Sequence, residues 1–342
     1  MAGLTADSRA VEPGWLFAAL PGTRADGRAF IDAAVARGAV AVLAPEGTRL
    51  GPDAAGVALL TDANPRRRLA LMAARFFGPQ PRTVAAVTGT NGKTSVADFT
   101  RQIWAALGER AASLGTLGLV APDGVALAPR PRVGLTTPDP VALHRDLAAL
   151  ARAGVNRVAI EASSHGLDQF RLDGLAVAAA AFTNLTRDHL DYHGSMEAYR
   201  AAKLRLFTDL LRPDGTAVVN ADSPEAEGVI AAAGGRRVLT CGRRGRDIRL
   251  LDQTPRPDGQ HLEIGLFGRR TAIDLPLPGA FQAANALCAL GLAVATGADP
   301  ERAVAALSRL HGVRGRLELV ARHPAGAPVY VDYAHTPDAL ET

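Results

Sequence analysis

The chain uses lysine at only two positions, Lys93 and Lys203, although lysine and arginine together number 38. Arginine supplies every other basic position. A lysine amine is a compact charge that can lose its proton when buried, whereas a guanidinium stays charged. The retention of lysine at these two positions therefore indicates two sites that need a primary amine. The alternative is chance placement of a rare residue.

The first lysine belongs to a glycine-rich segment, TGTNGKTS, at positions 88–95. The run TVAAV (83–87) predicts a strand before it, and SVADFTRQIWAAL (95–107) predicts a helix after it. A loop of this kind binds phosphates through backbone N–H groups and a helix N-terminus. In such loops the lysine contacts the β- and γ-phosphates of the nucleotide, and the threonine that follows it ligates Mg²⁺. The segment departs from the GxxxxGK[ST] pattern because Val87 occupies the first glycine position.

We predict that this loop binds a nucleotide. The residues concerned are Gly89, Thr90, Asn91, Gly92, Lys93 and Thr94. The alternative is a glycine-rich turn with a surface lysine.

Acidic residues and histidines follow two other predicted strands. RVAIE ends at Glu161, and the run that ends in FTN is followed by Asp188, His189, Asp191 and His193. Ligands of open α/β sheets bind where the strands end, and a carboxylate suits Mg²⁺ held against a triphosphate. Glu161 is therefore a candidate magnesium ligand, with a loop acid or a helix cap as the alternative. The second cluster fits either a metal site or a surface loop.

Strand-like and helix-like runs alternate along the chain, which predicts an α/β fold. Short apolar runs such as AVAVLAP (39–45) predict a small N-terminal α/β domain over 1–82. The alternation from 83 to 313 predicts a P-loop-type, mostly parallel sheet with flanking helices. Within it, 261–279 predicts a β-hairpin, and 197–211, 281–297 and 300–310 predict helices. A last strand is predicted over 328–335.

Composition narrows the class of protein. With 48% apolar and 21% charged residues, the chain can bury sizeable cores in two or three domains. Its N-terminus lacks a signal-peptide pattern and no run is apolar enough to insert into a membrane, so we expect a cytoplasmic protein. Two cysteines are too few for a disulfide framework or a CxxC metal site. The net charge of +4 is dispersed and aromatics are scarce, which favours a polyanionic small molecule over nucleic acid.

Several segments together resemble the successive signatures of the Mur ligase family, and within it the MurE group. They are DSRAVEPGWLFAALPG, TGTNGKTS, LTTPDP, EASSHGLDQFRL, FTNLTRDHLDYHGSMEAYRAAKLRLF, GAFQAANALCAL, RGRLE and VDYAHTPDALE. The contiguous SSHGL and DHLDYHG favour the MurE group over the muramoyl-tripeptide ligases and the folylpolyglutamate synthases. A nucleotide-binding module without catalysis is the alternative from another class.

The resemblance implies an ATP-dependent ligase of cytoplasmic peptidoglycan synthesis. Such an enzyme adds diaminopimelate or lysine to UDP-N-acetylmuramoyl-L-alanyl-D-glutamate through an acyl phosphate. It implies ATP and two Mg²⁺ ions, one held by Thr94 and Glu161. The second is held by His189 and by Lys203, which carries a CO₂-derived carbamate. Carbamylation excludes arginine because the amine must be neutral to attack CO₂.

The resemblance also implies further contacts. ATP is contacted by Asn285, Arg316 and Asp332. The serine at Ser8 meets the uridine diphosphate part of the substrate. The muramoyl peptide is contacted by Thr136, Thr137, Ser163, Gln169 and Arg171. Phe281-Gln282 stands where the family commonly has Phe-Asn, which is a departure next to Asn285.

Members of the family continue into a C-terminal Rossmann-like domain that binds the amino acid. We expect residues 314–342 to be its truncated start, because no Asp-Asn-Pro-Arg stretch occurs in the sequence. The expectation is a monomer that binds the uridine nucleotide, and ATP more weakly, without completing ligation. The last segment is expected to pack on the central domain or to be poorly ordered.

Overall fold

A computed structural model describes residues 1–22, 25–125, 134–324 and 326–334. The contacts divide the chain into two compact units. The first unit comprises residues 1–79, 139–148 and 169–174, and the second unit comprises the rest. In the described part of the chain, no helix is both long and apolar enough to cross a membrane.

The first unit contains a four-stranded parallel sheet in the order β1-β2-β3-β4. Its strands and helices are β1 Gly3–Thr5, β2 Trp15–Ala18, α1 Ile31–Ala36, β3 Ala41–Pro45, β4 Ala58–Asp62 and α2 Pro65–Phe77. Helix α2 begins where Asn64 accepts a hydrogen bond from the backbone N–H of Arg67, with Pro65 in the first turn. Leu16 and Leu43 are fully buried and form the core with Leu69 of α2.

His144 gives the first unit a predicted sensitivity to acid. It is 4% exposed, and its Nε2–H donates to the carbonyl of Asp173 at 2.9 Å. Burial lowers the pKa of His144 below its ordinary value. The unfolded chain takes up this proton near pH 6.5 and the folded chain only at lower pH, so stability present above pH 6.5 is lost as the pH falls.

The slope should reach about 1.4 kcal/mol per pH unit below pH 6.5. We expect His144→Gln to flatten this slope in urea unfolding measured between pH 7.5 and pH 5. The exposed His311→Gln serves as the control and should keep the slope of the parent chain. Equal slopes in all three proteins would contradict the assignment.

The second unit is built on a ten-stranded sheet in the order β14-β13-β12-β11-β10-β9-β5-β8-β6-β7. Its strands are β5 Thr83–Thr88, β6 Ala111–Gly115, β7 Gly118–Val120, β8 Arg157–Glu161, β9 Val177–Phe182, β10 Leu211–Asn220, β11 Arg237–Gly242, β12 Ile248–Arg256, β13 Gly259–Leu266 and β14 Arg269–Leu275. The seven strands that neighbour one another in the order β12-β11-β10-β9-β5-β8-β6 pair in parallel. The outer strands β7, β13 and β14 pair antiparallel to their neighbours.

The helices are α3 Lys93–Ala106, α4 Pro140–Arg152, α5 Ser164–Asp168, α6 Leu190–His193, α7 Met196–Arg205, α8 Ala226–Ala232, α9 Phe281–Ala295 and α10 Pro300–Ala306. The first residues of α4 belong to the first unit. Helix α9 is apolar on nearly all sides and lies with α3 in the main core. A separate two-stranded antiparallel sheet is formed by β15 Glu318–Arg322 and β16 Pro328–Val331.

The pairing register brings the carboxyl ends of four parallel strands to one edge. Val87 at the end of β5 pairs with Glu161 of β8, and Thr88 pairs with Phe182 of β9. Phe182 in turn pairs with Val219, next to the end of β10. The segments that follow these strands therefore meet at one place.

The α/β class with parallel sheets and flanking helices is confirmed, and so is the hairpin within 261–279, which is β13 and β14. The helix predicted over 197–211 is too long: a π-helical turn follows α7 at Leu206–Leu210, and β10 starts at Leu211. The strand predicted over 328–335 ends at Val331, and residue 335 lies outside the described residues.

Candidate active site

A cleft of about 340 Å³ opens at the edge where β5, β8 and β9 end. It lies entirely in the second unit. Eleven of the residues predicted to act line it: Thr90, Asn91, Gly92, Lys93, Thr94, Thr136, Glu161, His189, Asn285, Arg316 and Asp332. The structure therefore gathers in one cleft residues that are up to 242 positions apart in the sequence, from 90 to 332.

The phosphate loop turns sharply before α3. Gly92 has φ +85°, and a Cβ at this position would lie 2.3 Å from Oδ1 of Asn285, so only glycine fits. The Nζ of Lys93 donates to the carbonyls of Gly89 and Thr90 at 2.9 and 2.7 Å. Burial lowers the pKa of Lys93. The amine thus lies within the loop, at the place where nucleotide phosphates bind in loops of this type.

Glu161 is the buried acid of the cleft, with 2% of its surface exposed. Its Oε2 accepts from Oγ1 of Thr94 at 3.0 Å, and its Oε1 accepts from the N–H of Thr116 at 2.8 Å. Burial raises the pKa of Glu161, and the charge of Lys93 opposes that rise. A carboxylate and a threonine hydroxyl at the start of a helix form an oxygen donor pair that suits a hard cation.

Gly115 sets the space around Glu161. A Cβ on Gly115 would lie 2.0 Å from Oε1 of Glu161, which is closer than any real contact. We therefore expect Gly115→Ala to displace the carboxylate and to lower the rate of the ATP-dependent reaction that the sequence resemblance implies by at least about tenfold, as misplacement of catalytic groups does.

The matched control for this change is Gly265→Ala. Gly265 also lies in a strand, but a Cβ there meets its neighbours at 3.6 Å or more, an ordinary contact distance. The prediction is tested by measuring the steady-state rate of the ATP-dependent reaction for both variants. Circular dichroism first establishes that the two variants are folded to the same extent. Equal rates would show that Glu161 tolerates the displacement.

His189 has a left-handed backbone with φ +52° at the start of α6. Its Nε2 lies 3.4 Å from Oδ2 of Asp188, and its backbone N–H donates to Oδ1 of the same residue at 2.8 Å. Burial lowers the pKa of His189, and the nearby Lys93 adds to this effect. The imidazole is therefore favoured in its neutral form, which is the form that ligates metals.

Lys203 lies beneath the phosphate loop and does not line the cleft. It is 2% exposed, and its Nζ donates to the carbonyl of Gly89 at 2.7 Å. The same Nζ lies 4.3 Å from the centre of the Tyr199 ring. Burial lowers the pKa of Lys203 well below its ordinary value, and Lys93 lowers it further. These surroundings favour a neutral amine.

The remaining predicted nucleotide contacts, Asn285, Arg316 and Asp332, also line the cleft. Asn285 on α9 donates from Nδ2 to Oε1 of Gln282 at 3.0 Å. The glutamine that stands where the family commonly has asparagine therefore holds the amide of Asn285. Arg316 donates to Oγ1 of Thr94 at 3.3 Å. Asp332 accepts from the backbone N–H of Leu317 at 2.6 Å. Arg316 and Asp332 thus bring a segment next to β15 and β16 into the cleft.

The predicted substrate contacts are divided between the two units. Oγ1 of Thr137 donates to the carbonyl of Glu161 at 2.8 Å and accepts from Oγ of Ser163 at 3.0 Å. Neither residue lines the cleft, whereas Thr136 does. Ser8, Gln169 and Arg171 belong to the first unit, where Arg171 donates to Oε1 of Gln169 at 2.7 Å.

Thr116, Asn184 and Asn220 are among the polar residues of the cleft that sequence reasoning missed. Thr116 holds Glu161, Asn184 accepts from the N–H of Asn91 at 2.9 Å, and Asn220 donates to the carbonyl of Thr183 at 3.0 Å. Asn184 and Asn220 come at or just after the ends of β9 and β10. The strand-end rule that singled out Glu161 would also have found these two.

A metal ion bound in this cleft would need phosphate oxygens as ligands in addition to the protein side chains. Within the described ranges, no group of three His, Cys, Asp or Glu side chains is placed to hold a metal ion. Thr94 and Glu161 fit Mg²⁺ as a hydroxyl and carboxylate pair beside a phosphate loop, with phosphate oxygens completing the shell.

Comparisons with known proteins agree along the whole chain. Residues 87–293 match the Mur ligase middle domain, and residues 1–77 match a family described as Mur ligase family, catalytic domain. A UDP-N-acetylmuramoyl-L-alanyl-D-glutamate–2,6-diaminopimelate ligase of Caulobacter vibrioides is 53% identical over all of this chain and 70% of its own length. The ligase of the same name from Bradyrhizobium diazoefficiens is 53% identical over 99% of this chain and 69% of its own.

Solved structures of ligases also superpose on the chain. A structure described as UDP-N-acetylmuramoyl-L-alanyl-D-glutamate–2,6-diaminopimelate ligase superposes with a TM-score of 0.83 at 33% identity, over 99% of this chain and 68% of that one. MurF from Acinetobacter baumannii superposes with a TM-score of 0.70 at 22% identity, over 99% of this chain and 69% of its own, which is a likeness of fold.

Proposed function

The chain belongs to the Mur ligase family of ATP-dependent ligases, and we propose that it serves the addition of 2,6-diaminopimelate to UDP-N-acetylmuramoyl-L-alanyl-D-glutamate in peptidoglycan synthesis. The observation that carries the proposal is the convergence of Lys93, Thr94 and Glu161 in one cleft at the end of β5 and β8. The choice of diaminopimelate is supported by the names of relatives at about 53% identity.

We propose that successive segments of the chain bind different substrates. Residues 1–82 bind the uridine nucleotide substrate, with Ser8 at the diphosphate. Residues 83–313 bind ATP, and 314–342 begin the amino-acid-binding domain. The family matches at 1–77 and 87–293 leave room for a boundary near 82. Thr136, Thr137, Ser163, Gln169 and Arg171 are proposed to contact the muramoyl peptide.

The first chemical step brings two anions together. The free D-glutamyl carboxylate attacks the γ-phosphate of ATP, ADP leaves, and an acyl phosphate forms. Lys93 would move from the carbonyls of Gly89 and Thr90 to the phosphates and offset their charge. Arg316, which now contacts Thr94, stands where it can add a second positive charge.

Two Mg²⁺ ions are proposed to take part. When bound, Mg²⁺ neutralises phosphate charge and orients the reacting oxygens. Thr94 and Glu161 would hold one ion. His189 and Lys203 would hold the other, with Lys203 carrying a carbamate that supplies an anionic oxygen ligand. The fit of Lys203 to carbamylation rests on its buried amine, whose lowered pKa favours the neutral form that adds CO₂.

In the second step the amine of the amino acid attacks the acyl phosphate and phosphate leaves. Asn285 and Asp332, which line the cleft, are proposed to hold the nucleotide during both steps.

Isotope exchange tests the proposal. The purified chain is mixed with ATP, labelled ADP, Mg²⁺ and UDP-N-acetylmuramoyl-L-alanyl-D-glutamate, and label entering ATP is measured. Exchange that depends on this dipeptide substrate supports the proposed acceptor and the acyl phosphate. Exchange with a muramoyl tripeptide or a folate instead would assign another ligase of this fold. Nucleotide binding without exchange would favour a non-catalytic module, and a Lys93→Ala variant gives the background.

A further inference from the structure

Tyr199 is a fully buried residue of α7 that contacts the phosphate loop from below. Its hydroxyl lies 3.1 Å from Oγ1 of Thr90, and its ring lies 4.3 Å from Nζ of Lys203. Tyr199 does not line the cleft, so it has no direct route to substrate. It contacts two residues that the proposed function places in the site.

The direction of the hydrogen bond follows from the partners of Thr90. Its Oγ1 donates to the carbonyl of Thr186 at 3.1 Å and accepts from the N–H of Thr186 at 3.0 Å. A threonine hydroxyl has one proton and two acceptor positions. The hydroxyl of Tyr199 therefore donates and fills the second acceptor position. The three bonds tie Thr90, Thr186 and α7 together.

The ring of Tyr199 limits where the amine of Lys203 can lie. The amine lies over the face of the ring, so the ring closes off one side of the space that the Lys203 side chain can occupy. On its other side the same Nζ donates to the carbonyl of Gly89, which also accepts from Lys93 at 2.9 Å. Both lysines of the chain therefore meet at one carbonyl, and Tyr199 lies against one of them.

We infer that Tyr199 is a positioning residue that fixes the phosphate loop through Thr90 and seats the amine of Lys203. The inference rests on the proposed function, because it assigns Tyr199 to the support of that site. A residue that only fills the core would need its ring and not its hydroxyl. Tyr199→Phe keeps the ring and removes the hydroxyl, so it separates the two roles.

Tyr192 provides the matched control. The rings of Tyr192 and Tyr199 both pack against His193, with ring centroids 4.8 and 5.2 Å from it. The hydroxyl of Tyr192 donates to Oδ2 of Asp168 at 2.7 Å instead of to the phosphate loop. Tyr192→Phe is the same chemical change, made on the neighbouring helix α6.

The experiment is calorimetric titration of the full chain with Mg²⁺ and ADP, together with a thermal unfolding scan. We expect Tyr199→Phe to weaken ADP binding about tenfold, because it removes the hydrogen bond to the phosphate loop. Tyr192→Phe leaves that bond in place and should change ADP binding by less than about twofold. Thr90→Val should also weaken binding. The double variant should then be no weaker than Thr90→Val alone, since both changes remove the same bond.

Additive effects, or equal affinities for Tyr199→Phe and the parent chain, would overturn the inference. Failure of the parent chain to bind ADP would instead overturn the proposed function. The two failures are thus distinguishable.

The ring has its own readout. Carbon-13 NMR in ¹³C-bicarbonate detects a lysine carbamate, and we expect Tyr199→Phe to keep the signal of the parent chain and Tyr199→Leu to lose most of it. An undiminished signal in a folded Tyr199→Leu protein would remove Lys203 from the inference. If the leucine variant does not fold, the phenylalanine variant and its cycle with Thr90 still decide the role of the hydroxyl.

Discussion

Replacing Lys203 by arginine should lower the rate of dipeptide-dependent exchange between ADP and ATP by about 100- to 1000-fold, the range seen when one preorganised electrostatic group is lost. Arginine keeps the charge and much of the length of lysine. It cannot lose a proton, so it cannot accept CO₂. Lys203 is 2% exposed and its Nζ donates to the carbonyl of Gly89, so the replaced group lies inside the protein.

Lys203→Ala should be equally slow, and added short carboxylates should restore part of its activity. Acetate or formate can enter the space left by the side chain and supply the missing anionic oxygen. The arginine variant fills that space and should not respond. Arg200→Lys, on the same helix but paired with Glu225, is the control and should react at the parent rate. Full activity in Lys203→Arg would show that no carbamate is needed.

The convergence of the site was predictable because it depends on a general property of parallel sheets. Lys93 follows β5 and Glu161 ends β8, and parallel neighbours end at the same edge. The sequence pattern also indicated a helix after the loop, and α3 begins at Lys93. Local pattern and sheet geometry were sufficient for these residues.

Other features depend on contacts between distant segments, which no local pattern encodes. The amine of Lys203 donates to the carbonyl of Gly89, which lies 114 positions away in the sequence. Cys241 and Cys288 are 47 positions apart in the sequence, and their sulfur atoms lie 3.3 Å apart in the core as free thiols. These pairings follow from how α7 and α9 pack on the sheet.

The strand β12 was missed for a different reason. Its sequence, IRLLDQTPR, contains Pro255 and lacks a sustained alternation of apolar and polar residues. It forms because β13 pairs along most of its length, from Ile248 to Arg256. A partner strand therefore overrides a weak local preference.

Replacing Glu161 by glutamine should uncouple activity from stability. We expect the maximal rate to fall by about 100-fold or more, because the carboxylate is a proposed ligand of the first Mg²⁺ ion. The Mg²⁺ concentration that gives half the maximal rate should rise as well. The free energy of unfolding should stay the same or increase, since burial of the charged form is unfavourable at this site and glutamine removes the charge.

Asp98→Asn is the control that separates a metal ligand from a buried acid of the fold. Asp98 is also buried, but it accepts from Nε of Arg101 at 2.7 Å and from Oγ of Ser113 at 3.1 Å, away from the cleft. Although burial acts to raise it, the hydrogen bond from Arg101 and the other donors leave the pKa of Asp98 lowered.

Loss of the Asp98 charge should therefore cost about 3 kcal/mol of stability and leave the Mg²⁺ dependence of the folded protein unchanged. Urea unfolding and exchange rates measured over a range of Mg²⁺ concentrations give both quantities for both variants. Should Glu161→Gln lose stability and keep its Mg²⁺ dependence, as Asp98→Asn is expected to, then Glu161 supports the fold and the ligand for Mg²⁺ must be sought among Thr94, Asp188 and His189.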